Sequence, residues 1–129
     1  MKIIQVKISD LKPAEYNPRK ISKEDYDQLK KSISEFGCVD PIIVNENPER
    51  QNIVIGGHQR LKVMRDLKLK ECPVFYVNLD PKKEKELNVR LNKNQGEWDF
   101  DLLLENFELE DLKGFGFDDL EEKINKINN

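Results

Sequence analysis

The chain has 129 residues, 37% of them hydrophobic and 36% charged, with a formal net charge of −3. That length suits one modest core under a heavily charged surface, and no run approaches the about 18 apolar residues that a bilayer span requires. Residues 99–129 hold ten acidic residues against three lysines, net −7, while residues 1–98 carry net +4; this is not the strongly basic surface of a stand-alone DNA binder.

Residues 1–8 alternate and carry charge, unlike a secretory signal, and residues 3–8 are predicted as the first strand. Cys38 and Cys72 have neither C-x-x-C nor histidine spacing. They read as buried free thiols in a reducing compartment, so a soluble, cytoplasmic protein with no membrane contact is expected. Residues 14–20 form a polar loop in which Pro18 biases Asn17 towards extended backbone and so fixes where Arg19 points. A constrained loop arginine is a candidate anion clamp; an ordinary surface arginine fits the same residues. Ser22 then caps a helix, Tyr26, Leu29, Ile33 and Phe36 fall on its inward face, and Gly37 ends it. Residues 42–44 and 53–55 are short strands joined by a polar turn.

The stretch from Ile53 to Arg65 carries the chemistry. A β-branched strand meets Gly56-Gly57, and a helix opens with His58, Gln59 and Arg60. Glycines allow a sharp turn and close approach to a ligand. The helix start leaves unpaired N–H groups and a partial positive charge, which together favour an anion, phosphate above all. Arg60 adds a planar cationic fork. An ordinary strand–turn–helix with a solvated surface fits the same pattern. Leu61, Met64 and Leu67 are predicted core residues. His58, the sole histidine, sits where the helix dipole disfavours its protonated form; it suits phosphate contact, or weak acid–base work, or a solvated turn.

Residues 73–77 are the next strand. Asp80 caps a helix with Pro81 at its first position, and Leu87, Val89 and Leu91 are its apolar positions. Its polar end holds Asn92. Asp99 caps a final helical region with Phe100, Leu103, Leu104 and Phe107 inward, and a last short helix is predicted over 118–125. Short strands alternating irregularly with helices predict an α+β fold with a small mixed sheet. The expected organisation is a body over 1–98 and an acidic helical extension over 99–129.

Asn17-Pro18-Arg19, Leu29 to Ile33, Glu35-Phe36-Gly37, Pro41 to Val44, Gly57-His58-Gln59-Arg60 and Pro73-Val74 occur in an order that resembles the N-terminal domain of ParB-like proteins. The likeness extends over about residues 3–95 and is similar to the short phage-type ParB-like nuclease domains of the ParB/sulfiredoxin superfamily. The resemblance implies a nucleotide triphosphate, CTP or ATP, wrapped by Gly56, Gly57, His58, Gln59 and Arg60, with Arg19 reaching it. The family's Gly-Glu-Arg-Arg becomes Gly57-His58-Gln59-Arg60 here, which reduces charge towards the phosphates. The family's late Glu-Asn pair becomes Leu91-Asn92. The resemblance thus implies a Mg2+ contact through Asn92 and weak or absent hydrolysis. Sulfiredoxins carry a cysteine in the corresponding turn, and it is missing here.

A nucleotide-binding switch or adaptor in DNA partition or modification is therefore expected. The resemblance implies DNA engaged directly or through a partner such as a DNA methyltransferase, and homodimerisation on ligand binding. Two other classes stand beside it: an enzyme (weak NTPase, serine-kinase-like phosphotransferase or nuclease) and a pure protein-interaction module.

Overall fold

A four-stranded mixed sheet carries the fold. The computed structural model describes residues 2–17, 20–93 and 99–117. Strands β1 (Ile3–Lys7), β2 (Ile42–Asn45), β3 (Val54–Gly56) and β4 (Glu71–Val77) lie in the order β1-β4-β2-β3. β4 runs antiparallel to β1 and parallel to β2, and β3 is antiparallel to β2. The chain divides into two compact units, Met1–Gln95 and Gly96–Asn129.

In the first unit the inner strands are β-branched and buried: Ile42, Val44 and Val74 are solvent-excluded. Helix α1 (Lys23–Phe36) packs on α2 (His58–Asp66), and α3 (Pro81–Lys93) packs on β3. Leu61, Val63 and Met64 of α2 enter the core with Ile33 of α1. The predicted caps form. Ser22 Oγ accepts from the Asp25 N–H at 3.1 Å, and Asp80 Oδ1 accepts from the Lys83 N–H at 2.9 Å. β4 starts two residues before the predicted strand because Glu71 and Cys72 pair with Lys7 and Val6. Both cysteines are free; Cys72 is buried, but Cys38 is only half-buried.

Three burial expectations need correction. Phe36 is 68% exposed, since it occupies the last turn of α1 beyond the stripe of Tyr26, Leu29 and Ile33. Val89 and Leu91 of α3 are 53% and 43% exposed, and the positions turned fully inward are Glu84 and Asn88. Apolar spacing cannot reveal an inward stripe whose polar groups are satisfied by hydrogen bonds.

The second unit contains α4 (Phe100–Asn106) and α5 (Leu109–Gly114). Asp99 Oδ1 accepts from the Leu102 N–H at 3.1 Å, as the sequence predicts. Leu104 and Phe107 are at the surface, 38% and 49% exposed. α4 is two turns long, and Phe107 lies past its end in extended backbone. The helix predicted over 118–125 lies outside the described residues. Among the described residues no helix is long and apolar enough to cross a membrane.

Candidate functional site

The connection from β3 to α2 makes its turn on one residue. Gly57 has φ +95° and ψ 22° and stands at the N-cap of α2 without a capping side chain. A Cβ added there would lie 2.7 Å from Ile42 Cδ1 and 2.8 Å from Arg60 Nη2. Both the backbone angle and the space therefore call for glycine. The Leu61 N–H returns to the Gly57 carbonyl at 2.9 Å. Helix geometry leaves the N–H groups of residues 58–60 without intrahelical partners.

A cavity of about 280 Å³ opens at this helix start, with Gly57, His58, Gln59, Arg60 and Asn92 on its walls. Five of the sequence-predicted site residues thus come together from α2 and the far end of α3. Gly56 does not line the cavity; its Cα faces Leu91, whose Cδ1 would be 3.1 Å from an added Cβ. Its role is close packing of α3 against β3. Arg19 lies outside the described residues. Sequence reasoning missed Lys20 and Asp25, which also line the cavity. The Ser22 cap places Asp25 in the first turn of α1, but no local signal shows that α1 packs beside α2 and so brings this wall to the cavity.

Arg60 folds back over the turn. Its Nη2 donates to the Pro41 carbonyl at 3.1 Å, and among the described residues its buried Nε has no partner and the side chain enters no ion pair. His58 Nε2 accepts the Ala14 N–H at 3.0 Å. This fixes a neutral imidazole with its proton on Nδ1. A second cavity of about 390 Å³ lies beyond His58 and Gln59, with Asn17 on its wall. Asn17 Oδ1 is the other buried side-chain atom without a partner among the described residues. Asn92 donates through Nδ2 to the Asn88 carbonyl at 2.9 Å, which leaves its Oδ1 as an acceptor. Among the described residues no three His, Cys, Asp or Glu side chains cluster to hold a metal ion.

Burial lowers the His58 pKa below its ordinary 6.5, and the Glu84 charge only partly opposes this. The folded state therefore binds fewer protons than the unfolded chain. The contribution of His58 to stability is complete above about pH 6.5 and is lost as the pH falls through its lowered folded pKa. Thermal melts between pH 7.5 and 5.5 should show a steeper loss for the wild type than for His58→Gln, which keeps an acceptor for Ala14 and cannot titrate. Parallel pH profiles would remove this role for the imidazole.

Helix α3, which brings Asn92 to the cavity, also carries a polar network with no local sequence signature. Glu84 is fully buried on α3. It accepts from Arg50 Nη2 at 2.9 Å, Tyr16 Oη at 2.6 Å and Asn45 Nδ2 at 2.9 Å. Arg50 Nη1 also reaches Glu15 at 2.9 Å. Burial works to raise the Glu84 pKa, yet the bonds from Arg50, Tyr16 and Asn45 prevail and hold it below the usual carboxylate range. The same network holds the Tyr16 hydroxyl, just before the Asn17 loop, against α3.

The arrangement can be set beside known proteins. The ParB N-terminal domain model matches residues 1–95. The probable chromosome-partitioning protein ParB of Campylobacter jejuni is 36% identical over 83 residues, which are 64% of this chain but only 30% of that protein. The ParB-like nuclease domain-containing protein YnaK of Escherichia coli is 32% identical over 78 residues, 60% of this chain and 85% of that protein. The C-terminally truncated ParB from Caulobacter crescentus, crystallised with CTP-γ-S, superposes with a TM-score of 0.68 at 24% identity, covering 84% of this chain and 66% of that chain. The superposition is a likeness of fold, and the mixed sheet, the ordered motifs and the span of the family model agree: the chain belongs to the ParB N-terminal domain family.

Proposed function

We propose that the chain binds a nucleoside triphosphate, CTP or ATP, with its phosphates at the start of α2, and acts as a switch or adaptor in DNA partition or modification. The observation that carries this reading is the convergence of the α2 start, Arg60 and Asn92 on one cavity. The helix-start N–H groups and Arg60 face a space that Gly57, His58, Gln59 and Asn92 also line. A buried donor without a partner costs about 1–3 kcal/mol, so the Arg60 Nε–H gains when the guanidinium turns onto a phosphate oxygen. Arg60 is in no ion pair among the described residues, so no carboxylate has to be displaced. The neutral His58 keeps a proton on Nδ1 for donation. Arg19 is proposed as a second clamp because its neighbours in sequence line the two cavities, Lys20 the first and Asn17 the second.

The CTP-γ-S held by the Caulobacter relative supports a nucleotide of this class here. Magnesium fits as a hydrated ion carried largely by the phosphates, with Asn92 Oδ1 and the Asp25 carboxylate as the oxygen donors on the described wall. It would offset phosphate charge. Leu91 precedes Asn92 where the family carries a glutamate, so hydrolysis is proposed to be weak or absent. The chain spans 30% of the Campylobacter partitioning protein and 27% of a Lysinibacillus nucleoid occlusion protein. Base reading is accordingly assigned to DNA-binding elements outside this domain or to a partner such as a DNA methyltransferase, and dimerisation on ligand binding is proposed with it.

Thermal shift tests the reading. With CTP, ATP or ADP and Mg2+, the melting temperature should rise with at least one triphosphate, by about 2.7 kcal/mol of added stability at a hundredfold excess over Kd. Arg60→Ala should weaken that ligand about 10- to 100-fold, the loss of one charge-assisted hydrogen bond. No rise with any nucleotide would end the proposal.

A further inference from the structure

Helix α3 sorts its charges by face. Its thirteen residues hold five cations, Lys82, Lys83, Lys85, Arg90 and Lys93, and two carboxylates, Glu84 and Glu86. At 3.6 residues per turn all five cations fall within an arc of about 160°, and each is exposed. Glu84 points the other way, fully buried and paired with Arg50. It takes nothing from the outward field. Only Glu86 shares the cationic face, where Lys83 at 3.6 Å and Arg90 at 3.2 Å flank it. Glu15, from the neighbouring loop, feels Lys85 but is spent on Arg50. A chain that is acidic as a whole therefore carries a strip of net charge +4 on one helix.

We propose that this strip is a second anion-binding site, independent of the α2 turn, that binds the phosphodiester backbone of DNA without reading its sequence. Lys82 and Lys93 are about 16 Å apart along the helix, a length over which one strand presents about five phosphates. An acidic protein segment would match the sign of the strip but not its chemistry. Recognition of a peptide needs apolar anchors, and Val89 is the sole apolar residue within the arc. A face of five exposed cations with a single apolar side chain among them suits a polyanion whose charge is regular and whose sequence is ignored.

The test uses the full chain and a fluorescent duplex of about 30 base pairs, with affinity read by anisotropy over a range of KCl concentrations; the wild type should bind with a log–log salt slope that Lys82→Gln/Lys85→Gln/Lys93→Gln reduces by about 2–3. All three side chains are exposed, so the variant should melt as the wild type does. Arg60→Ala should leave the slope unchanged while reducing the nucleotide thermal shift, which separates failure of this site from failure of the other. The proposal is overturned if the wild type does not bind the duplex even at low salt, or if the triple variant keeps the wild-type slope. It is equally overturned if the variant changes only self-association in sedimentation, which would assign the strip to the acidic segment of a second copy.

Discussion

Glu84→Ala should destabilise the Met1–Gln95 unit by about 3–5 kcal/mol, the effect expected when one partner of a buried ion pair is removed and the other charge stays. The loss is large because three side chains depend on this one carboxylate. Arg50, whose side chain is 19% exposed, keeps the solvent-facing Glu15 as its one ion-pair partner among the described residues. The Tyr16 hydroxyl and one donor of the fully buried Asn45 lose an acceptor. In a unit of this size the melting temperature should fall by well over about 10 °C. Glu84→Gln should lose less, since an amide oxygen still accepts from Tyr16 or Asn45. Replacing Glu84 and Arg50 together by leucine and methionine should recover part of the loss, because no charge is then left stranded. A cost below about 1 kcal/mol for Glu84→Ala would show that water fills the site and that the network adds little. The pH dependence has a definite sign. The folded Glu84 pKa is lowered, so its contribution is complete above the ordinary carboxylate value of 4.5 and disappears as the pH falls through the lowered value.

This network marks where reading the sequence stopped. The strands, the Ser22 and Asp80 caps and the β3–α2 turn were legible because each has a local cause: β-branching, a capping oxygen, or a glycine. The ordered motifs from Asn17 to Pro73 carried the family. Glu84 had no such cause to show. It lies among lysines at the start of a helix and looks like any solvated acid. Its partners are 68, 39 and 34 residues away in sequence. Long-range polar satisfaction is a property of the fold, not of a window of residues. The same blindness made Leu91 an inward position on paper, whereas the structure turns Asn88 inward and bonds its Nδ2 to the Ile55 carbonyl at 2.9 Å. At the candidate site the α2 residues were legible from the turn, and Asn92 only through the family resemblance. The opposite wall, Lys20 and Asp25, required knowing that α1 packs beside α2.

Gly57→Ala should remove the response to nucleotide and cost about 2–4 kcal/mol, and two other glycines show why both readouts are needed. Gly37 also has positive φ, +78°, with ψ −178°, but an added Cβ would meet nothing within 4 Å. Gly37→Ala therefore carries backbone strain alone, of about 1–3 kcal/mol. Gly56 has no positive φ, and its added Cβ would touch the flexible tip of Leu91 at 3.1 Å; Gly56→Ala should cost under about 1 kcal/mol, since the tip can rotate aside. Gly57 combines strain with crowding from Ile42 Cδ1 and Arg60 Nη2. Strain at Gly37 and at Gly57 is comparable, so melting temperature by itself will not distinguish an ordinary turn from a binding turn. Ligand response will. The methyl group at position 57 displaces the guanidinium from the turn, whereas position 37 is at the end of α1 and lines neither cavity at the turn. Gly37→Ala should melt early and still be stabilised by the triphosphate that stabilises the wild type. If Gly57→Ala were stabilised to the same degree, the phosphates would have to bind elsewhere, and the close packing of Gly57, Ile42 and Arg60 would be only a way of closing the β3–α2 connection.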